Sequence, residues 1–133
     1  MEQKKLVTVQ LREQRISPKK IRLIMDLIRL KNIEDAFDIL KNTNNKPAKI
    51  ALSLLKSAQS AAKEKDYKNN ELVICESLVN EGRKLKRYFI KARGRSTQFM
   101  KRSSHLKISL CKIKEQKDIK VKKTKGNKNG KKG

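Results

Sequence analysis

Tryptophan is absent from these 133 residues, histidine occurs once, cysteine and proline occur twice each, and aromatic side chains make up 4%. Each scarcity excludes something. A single histidine, His105, cannot build a histidine-based ligand cluster. Cys75 and Cys111 are too few, and too far apart in sequence, to read as a disulfide framework or a zinc site. They are expected to be reduced, partly buried small hydrophobes. Acids are scarce too, with 13 Asp and Glu against 36 Lys and Arg. A pair such as Glu34 and Asp38 lies at helical i, i+4 spacing and reads as a solvated face. No enzyme, metal or cofactor is therefore expected. No apolar run approaches the roughly 20 residues that cross a bilayer. The opening MEQKKLVTVQ has neither the apolar core of a signal peptide nor a serine-rich, acid-free transit character. The chain is expected to stay where it is made, with no membrane partner.

What the chain does have is positive charge: a formal +23 and a sequence pI near 10.3. Charge of that density resists compaction and favours a polyanion. It is also unevenly placed. No Asp or Glu occurs between Gly82 and Lys114, whereas acids cluster at 34–38 and 64–81. The chain divides into a mixed-charge part that can fold and basic parts that must bind.

In the folding part, Val7, Val9 and Leu11 alternate with polar residues, the period-2 signature of a strand with one face buried. RISPKKIRLIMDLIR then opens a helix, with Ser17 at the N-cap and Pro18 at the first helical position. Its expected buried stripe is Ile21, Ile24, Leu27 and Ile28. Asn32 starts a short second helix buried through Ile33, Ala36, Phe37 and Leu40. Pro47 begins a third, whose stripe of Ile50, Ala51, Leu54, Leu55, Ala58, Ala61 and Ala62 has small residues that permit close packing on a sheet. Residues 72–79 and 105–112 read as two more strands.

Between those strands lies RKLKRYFIKARGRSTQFMKR, residues 83–102, with nine basic residues and no acid. A compact domain rarely keeps a structureless loop of that length without a functional reason. An antiparallel hairpin over 82–103 is expected, reversing at Gly94, with each arm of about ten residues reaching about 33 Å. Residues 113–133 are Lys, Asn and Gly with little to bury, a tail expected to be disordered when free.

The arginines sharpen the reading. Lysine is three times as frequent, yet the nine arginines fall only at 12–29 and 83–102. The guanidinium fork grips phosphate in two places and stacks on bases, whereas lysine is a mobile point charge. Tyr88, Phe89 and Phe99 interleave with these cations. They can stack on unpaired RNA bases or pack across the two arms. No helix-turn-helix, zinc finger or leucine zipper is visible.

RISPKKIRLIMDLIR, the NEG of VNEG, KR…ARGR and KRSSHLKISL together resemble the bacterial-type large-subunit ribosomal protein L twenty-two family, in order from about Lys5 to Leu110. The resemblance implies an α+β fold, three helices packed on a three-stranded antiparallel sheet with a long protruding hairpin, and 1–112 as one domain; the basic C-terminal tail that follows is a departure from the family. It implies a structural role in the large ribosomal subunit, in a bacterial cytoplasm or an organelle interior. Expected partners are 23S-type ribosomal RNA, ribosomal protein L four and the nascent peptide, with the hairpin lining the exit tunnel and its tip at Lys91, Ala92, Arg93, Gly94 and Arg95. Candidate RNA contacts are Arg12, Arg15, Ser17, Lys19, Lys20 and Arg22 near the start, and His105 after the hairpin. In the hairpin they are Arg83, Lys84, Lys86, Arg87, Tyr88, Lys91, Arg93, Gly94, Arg95, Lys101 and Arg102. The family often has prolines where this chain has Arg83 and Ile90, so the arms here are less constrained before binding. The alternative is a free basic chaperone or architectural protein acting on RNA or DNA.

Overall fold

A computed structural model describes residues 6–112. The elements run β1 (Val7–Gln14), α1 (Pro18–Ile28), α2 (Ile33–Asn42), α3 (Lys46–Lys63), β2 (Leu72–Glu81), β3 (Leu85–Ile90), β4 (Ser96–Lys101) and β5 (Ser104–Lys112). The arrangement is α+β. A three-stranded antiparallel sheet has the order β1-β5-β2, and β3 and β4 form a separate two-stranded ribbon. The tail at 113–133 lies outside the described residues.

Each helix starts where its chemistry allows. Pro18 occupies the first turn of α1 and Pro47 the first turn of α3, where a missing N–H costs no helical bond. Ser17 and Asn32 take the extended N-cap conformation, although neither side chain caps a backbone N–H. The core lies between the helices and one face of the sheet: Ile21, Met25 and Ile28 of α1, Ile33 of α2 and Leu55 of α3 meet Ile74, Leu106, Ile108 and Leu110. Ala51, Ala58 and Ala62 are fully buried and bring α3 close to its neighbours. In α1, Leu27 is 48% exposed and Met25 takes the buried position instead. Both fit a helical period; only the direction of the neighbouring layer separates them.

Two irregularities interrupt the ladders of the sheet. The β1–β5 register shifts between Leu11 and Gln14, and there Glu13 takes a positive φ of 52°. The β2–β5 register shifts around Cys75. Cys75 and Cys111 are joined in a disulfide with a Cα–Cα separation of 5.8 Å, which corrects the expectation of two reduced thiols. A 36-residue sequence separation says nothing about proximity once two strands are neighbours in a sheet.

Candidate nucleic-acid interface

Every residue at 83–102 is exposed. That includes Tyr88 at 68%, Phe89 at 62% and Ile90 at 79%, side chains a folded domain would ordinarily bury. The ribbon pairs from Leu85 with Lys101 to Ile90 with Ser96. Six paired residues per arm span about 20 Å, shorter than the expected arm because the links at either end do not pair. At the tip, Lys91 N–H donates to the Arg95 carbonyl at 2.7 Å. Arg93 and Gly94 both have positive φ, 59° and 67°, so the reversal falls where the glycine was expected to permit it.

The ribbon's root is held by a close approach. Gly82 N–H donates to the Ser103 carbonyl at 2.9 Å, and Ser103 Oγ donates to the Arg83 carbonyl at 2.7 Å. A Cβ at Gly82 would lie 2.5 Å from Ser103 Oγ and 3.1 Å from its carbonyl carbon. The glycine of the NEG stretch is therefore required where the chain leaves the sheet. Beside it, the Lys84 ammonium donates to Glu81 at 2.8 Å and holds that carboxyl below its ordinary value, with Arg102 and Arg22 adding to the effect.

Two hollows gather the expected residues. One, of about 540 Å³, is lined by Arg15, Ser17, Arg83, Arg87, Lys101 and Arg102 together with Glu13, Ile16, Leu85 and Ser103. The other, of about 630 Å³, is lined by Arg12 and His105 with Gln10, Glu13, Asn80, Leu106 and Lys107. His105 Nδ1 accepts the Glu13 N–H at 2.9 Å, so the ring buttresses the irregular end of β1 that carries Arg12 and Arg15. With Nδ1 accepting, the neutral ring carries its proton on Nε2.

Lys19, Lys20, Arg22, Lys84, Lys86, Tyr88, Lys91, Arg93, Gly94 and Arg95 line neither hollow. Those in the ribbon are spread along it, and those in α1 are exposed on the helix surface. Arg29 has a different job: its Nη2 lies 2.8 Å from Asp26 and donates to the Ser77 carbonyl at 3.0 Å, tying α1 to β2. Ser103, Asn80 and Leu85 escaped the sequence reading. Ser103 carries no charge, and its importance comes from packing against Gly82, a contact about 20 residues away.

Clustered guanidinium groups in an open cleft can take phosphates bidentately, and exposed rings between cations can take bases. The family described as ribosomal protein L22p/L17e matches residues 9–111, from β1 through the ribbon to β5. Relatives carrying the name large ribosomal subunit protein uL22 include one from Mycoplasma mobile, 47% identical over 98 residues, covering 73% of this chain and 89% of the relative. One from Clostridium novyi is 42% identical over 95 residues, covering 71% and 86%. One from Staphylococcus aureus is 42% identical over 103 residues, covering 77% and 88%. With the match spanning both the helix-backed sheet and the basic ribbon, the chain belongs to the ribosomal protein L22p/L17e family.

Proposed function

We propose that the chain is a structural, non-catalytic constituent of the large ribosomal subunit that binds 23S-type ribosomal RNA and assists subunit assembly. In this reading 1–112 is one RNA-binding domain, its ribbon protrudes into the RNA and lines the peptide exit tunnel beside ribosomal protein L four, and the tip at 91–95 meets the nascent peptide. The observation that carries the reading is the ribbon itself. Nine cations and six large apolar side chains stand exposed on a segment without an acid, inside a stretch matched throughout by a ribosomal family. Such a segment lowers its free energy only when an anionic surface covers it.

The test is sedimentation of cell extract through sucrose at high salt, with the chain quantified in the large-subunit peak. One copy per subunit is expected. A chain that washes to the top of the gradient as salt rises would instead support the free chaperone.

A further inference from the structure

Strand register sorts the ribbon's side chains into two faces. Leu85 pairs with Lys101, Arg87 with Phe99 and Phe89 with Thr97, and alternate residues of a strand share a side. These six lie on one face. Lys86, Tyr88, Ile90, Ser96, Gln98 and Met100 lie on the other.

The first face does not stop at the ribbon's root. Leu85, Arg87 and Lys101 also line the 540 Å³ cleft, where they join Arg15, Arg83 and Arg102. Five cations thus converge on a cleft whose lining holds one carboxylate, Glu13. The second face reaches neither hollow.

We propose that the first face and the cleft form one continuous track for a single-stranded RNA segment, with its phosphates in the cleft and unpaired bases on Phe89 and Phe99. The inference rests on the RNA-binding reading above and specifies which face binds and which form of RNA it takes. Phe99 lies two residues from Thr97, the cross-strand partner of Phe89, so the two residues are diagonal neighbours on one face, a backbone spacing of about 7–8 Å that aromatic side chains can bridge. That is close enough for them to engage the same or adjacent bases.

Both rings are available. Phe89 is 62% exposed and Phe99 42%. Arg87, directly across from Phe99, donates its Nη1 to the Lys86 carbonyl at 2.9 Å. Among the described residues the cation over a ring is Lys112, above Tyr67 in the domain. Among the described residues, then, no cation is stacked on either phenylalanine face. A duplex could use the cleft but not the rings, because paired bases are already stacked and the major groove of A-form RNA is too narrow to enter. Tyr88, on the opposite face, takes no part in the track.

The test uses the full chain and fluorescence anisotropy with a labelled twelve-nucleotide oligouridine, and a blunt RNA duplex of equal length as the second probe. Salt is titrated upward from about 0.3 M, where diffuse phosphate contacts are weakened. Phe89→Ala with Phe99→Ala should weaken oligouridine binding at least about tenfold, leave the salt slope unchanged and barely affect the duplex. Arg87→Gln with Lys101→Gln should lower the single-strand salt slope by about 1.4, for two contacts. Ile90→Ala with Met100→Ala, both on the opposite face, should stay within about twofold. All six positions are exposed, so thermal melts of the variants should match the parent.

Equal losses on the two faces, equal losses on single strand and duplex, or no loss from the phenylalanine pair would each overturn the track. The sedimentation experiment separates the two readings. A parent chain that stays with the large subunit while the faces behave alike refutes the track alone, whereas a parent chain that washes off refutes the ribosomal role.

Discussion

β4 and β5 are separated by two residues, both carry large apolar side chains, and both pair antiparallel, yet they live in opposite environments. In β5, Leu106, Ile108 and Leu110 are at most 1% exposed and pack beneath the helices. In β4, Phe99 is 42% exposed and Met100 46%. Apolar side chains lie against the helices in β5 and stand uncovered in β4, where Phe99 and Met100 are neighbours on opposite faces of the ribbon. Strand order is what tells them apart: β5 lies between β1 and β2 beneath the helices, whereas β4 pairs only with β3 in a ribbon that no other element covers among the described residues.

The largest test of this contrast truncates one apolar side chain in each strand. Ile108→Ala should lower the unfolding free energy in urea by about 2–4 kcal/mol through lost burial and a residual cavity. Phe99→Ala should change it by less than about 0.5 kcal/mol. Comparable losses would mean that the ribbon belongs to the folding unit.

Gly82→Ala tests the boundary between the two regions. The added methyl meets Ser103 Oγ and the backbone behind it, so a loss of about 1–2 kcal/mol is expected in the same urea assay. Ser103→Gly in the same chain should restore part of it, since only the hydroxyl half of the clash is removed. Without any restoration, the glycine would be required for some reason other than this approach.

Replacing residues 85–100 by Asn-Gly should matter still less to the free domain. Helical circular dichroism and a cooperative melt should persist within about 1 kcal/mol, because the buried cluster contains no ribbon residue. A collapsed melt would erase the distinction between the two regions.

The smallest effect lies at Glu81. Its folded pKa is lowered, chiefly by the bond from Lys84. The pair therefore stabilises above the ordinary carboxylate range, and that contribution disappears as pH falls through it. Glu81→Gln should flatten the acid side of the pH–stability curve slightly, and 0.5 M salt should remove the difference, since the pair is exposed to solvent. A difference that survives the salt would show that Glu81 acts through something other than exposed charge.

Much of this arrangement is legible in the chain itself. Pro18 and Pro47 mark two helix starts, the alternation at 105–112 marks the strand β5, and the absence of acids after Gly82 marks the ribbon with its turn near Gly94. These signals are local: each is carried by residues within a turn or a strand of one another. Leu27 and Met25 cannot be ranked that way, because the angle from which β2 approaches α1 decides which is covered. The pairing of Cys75 with Cys111, the bond from Glu13 to His105, and the fit of Gly82 against Ser103 are equally hidden.

What the sequence alone determined is where charge of one sign accumulates and which short segments are helical or extended, since charge and periodicity need no knowledge of neighbours. Which of two apolar-bearing strands is buried, which thiols meet, and which ribbon face joins the arginine cleft were decided by strand order and register. Those set contacts between residues separated by about 20 to 90 positions, a distance over which no sequence pattern carries orientation.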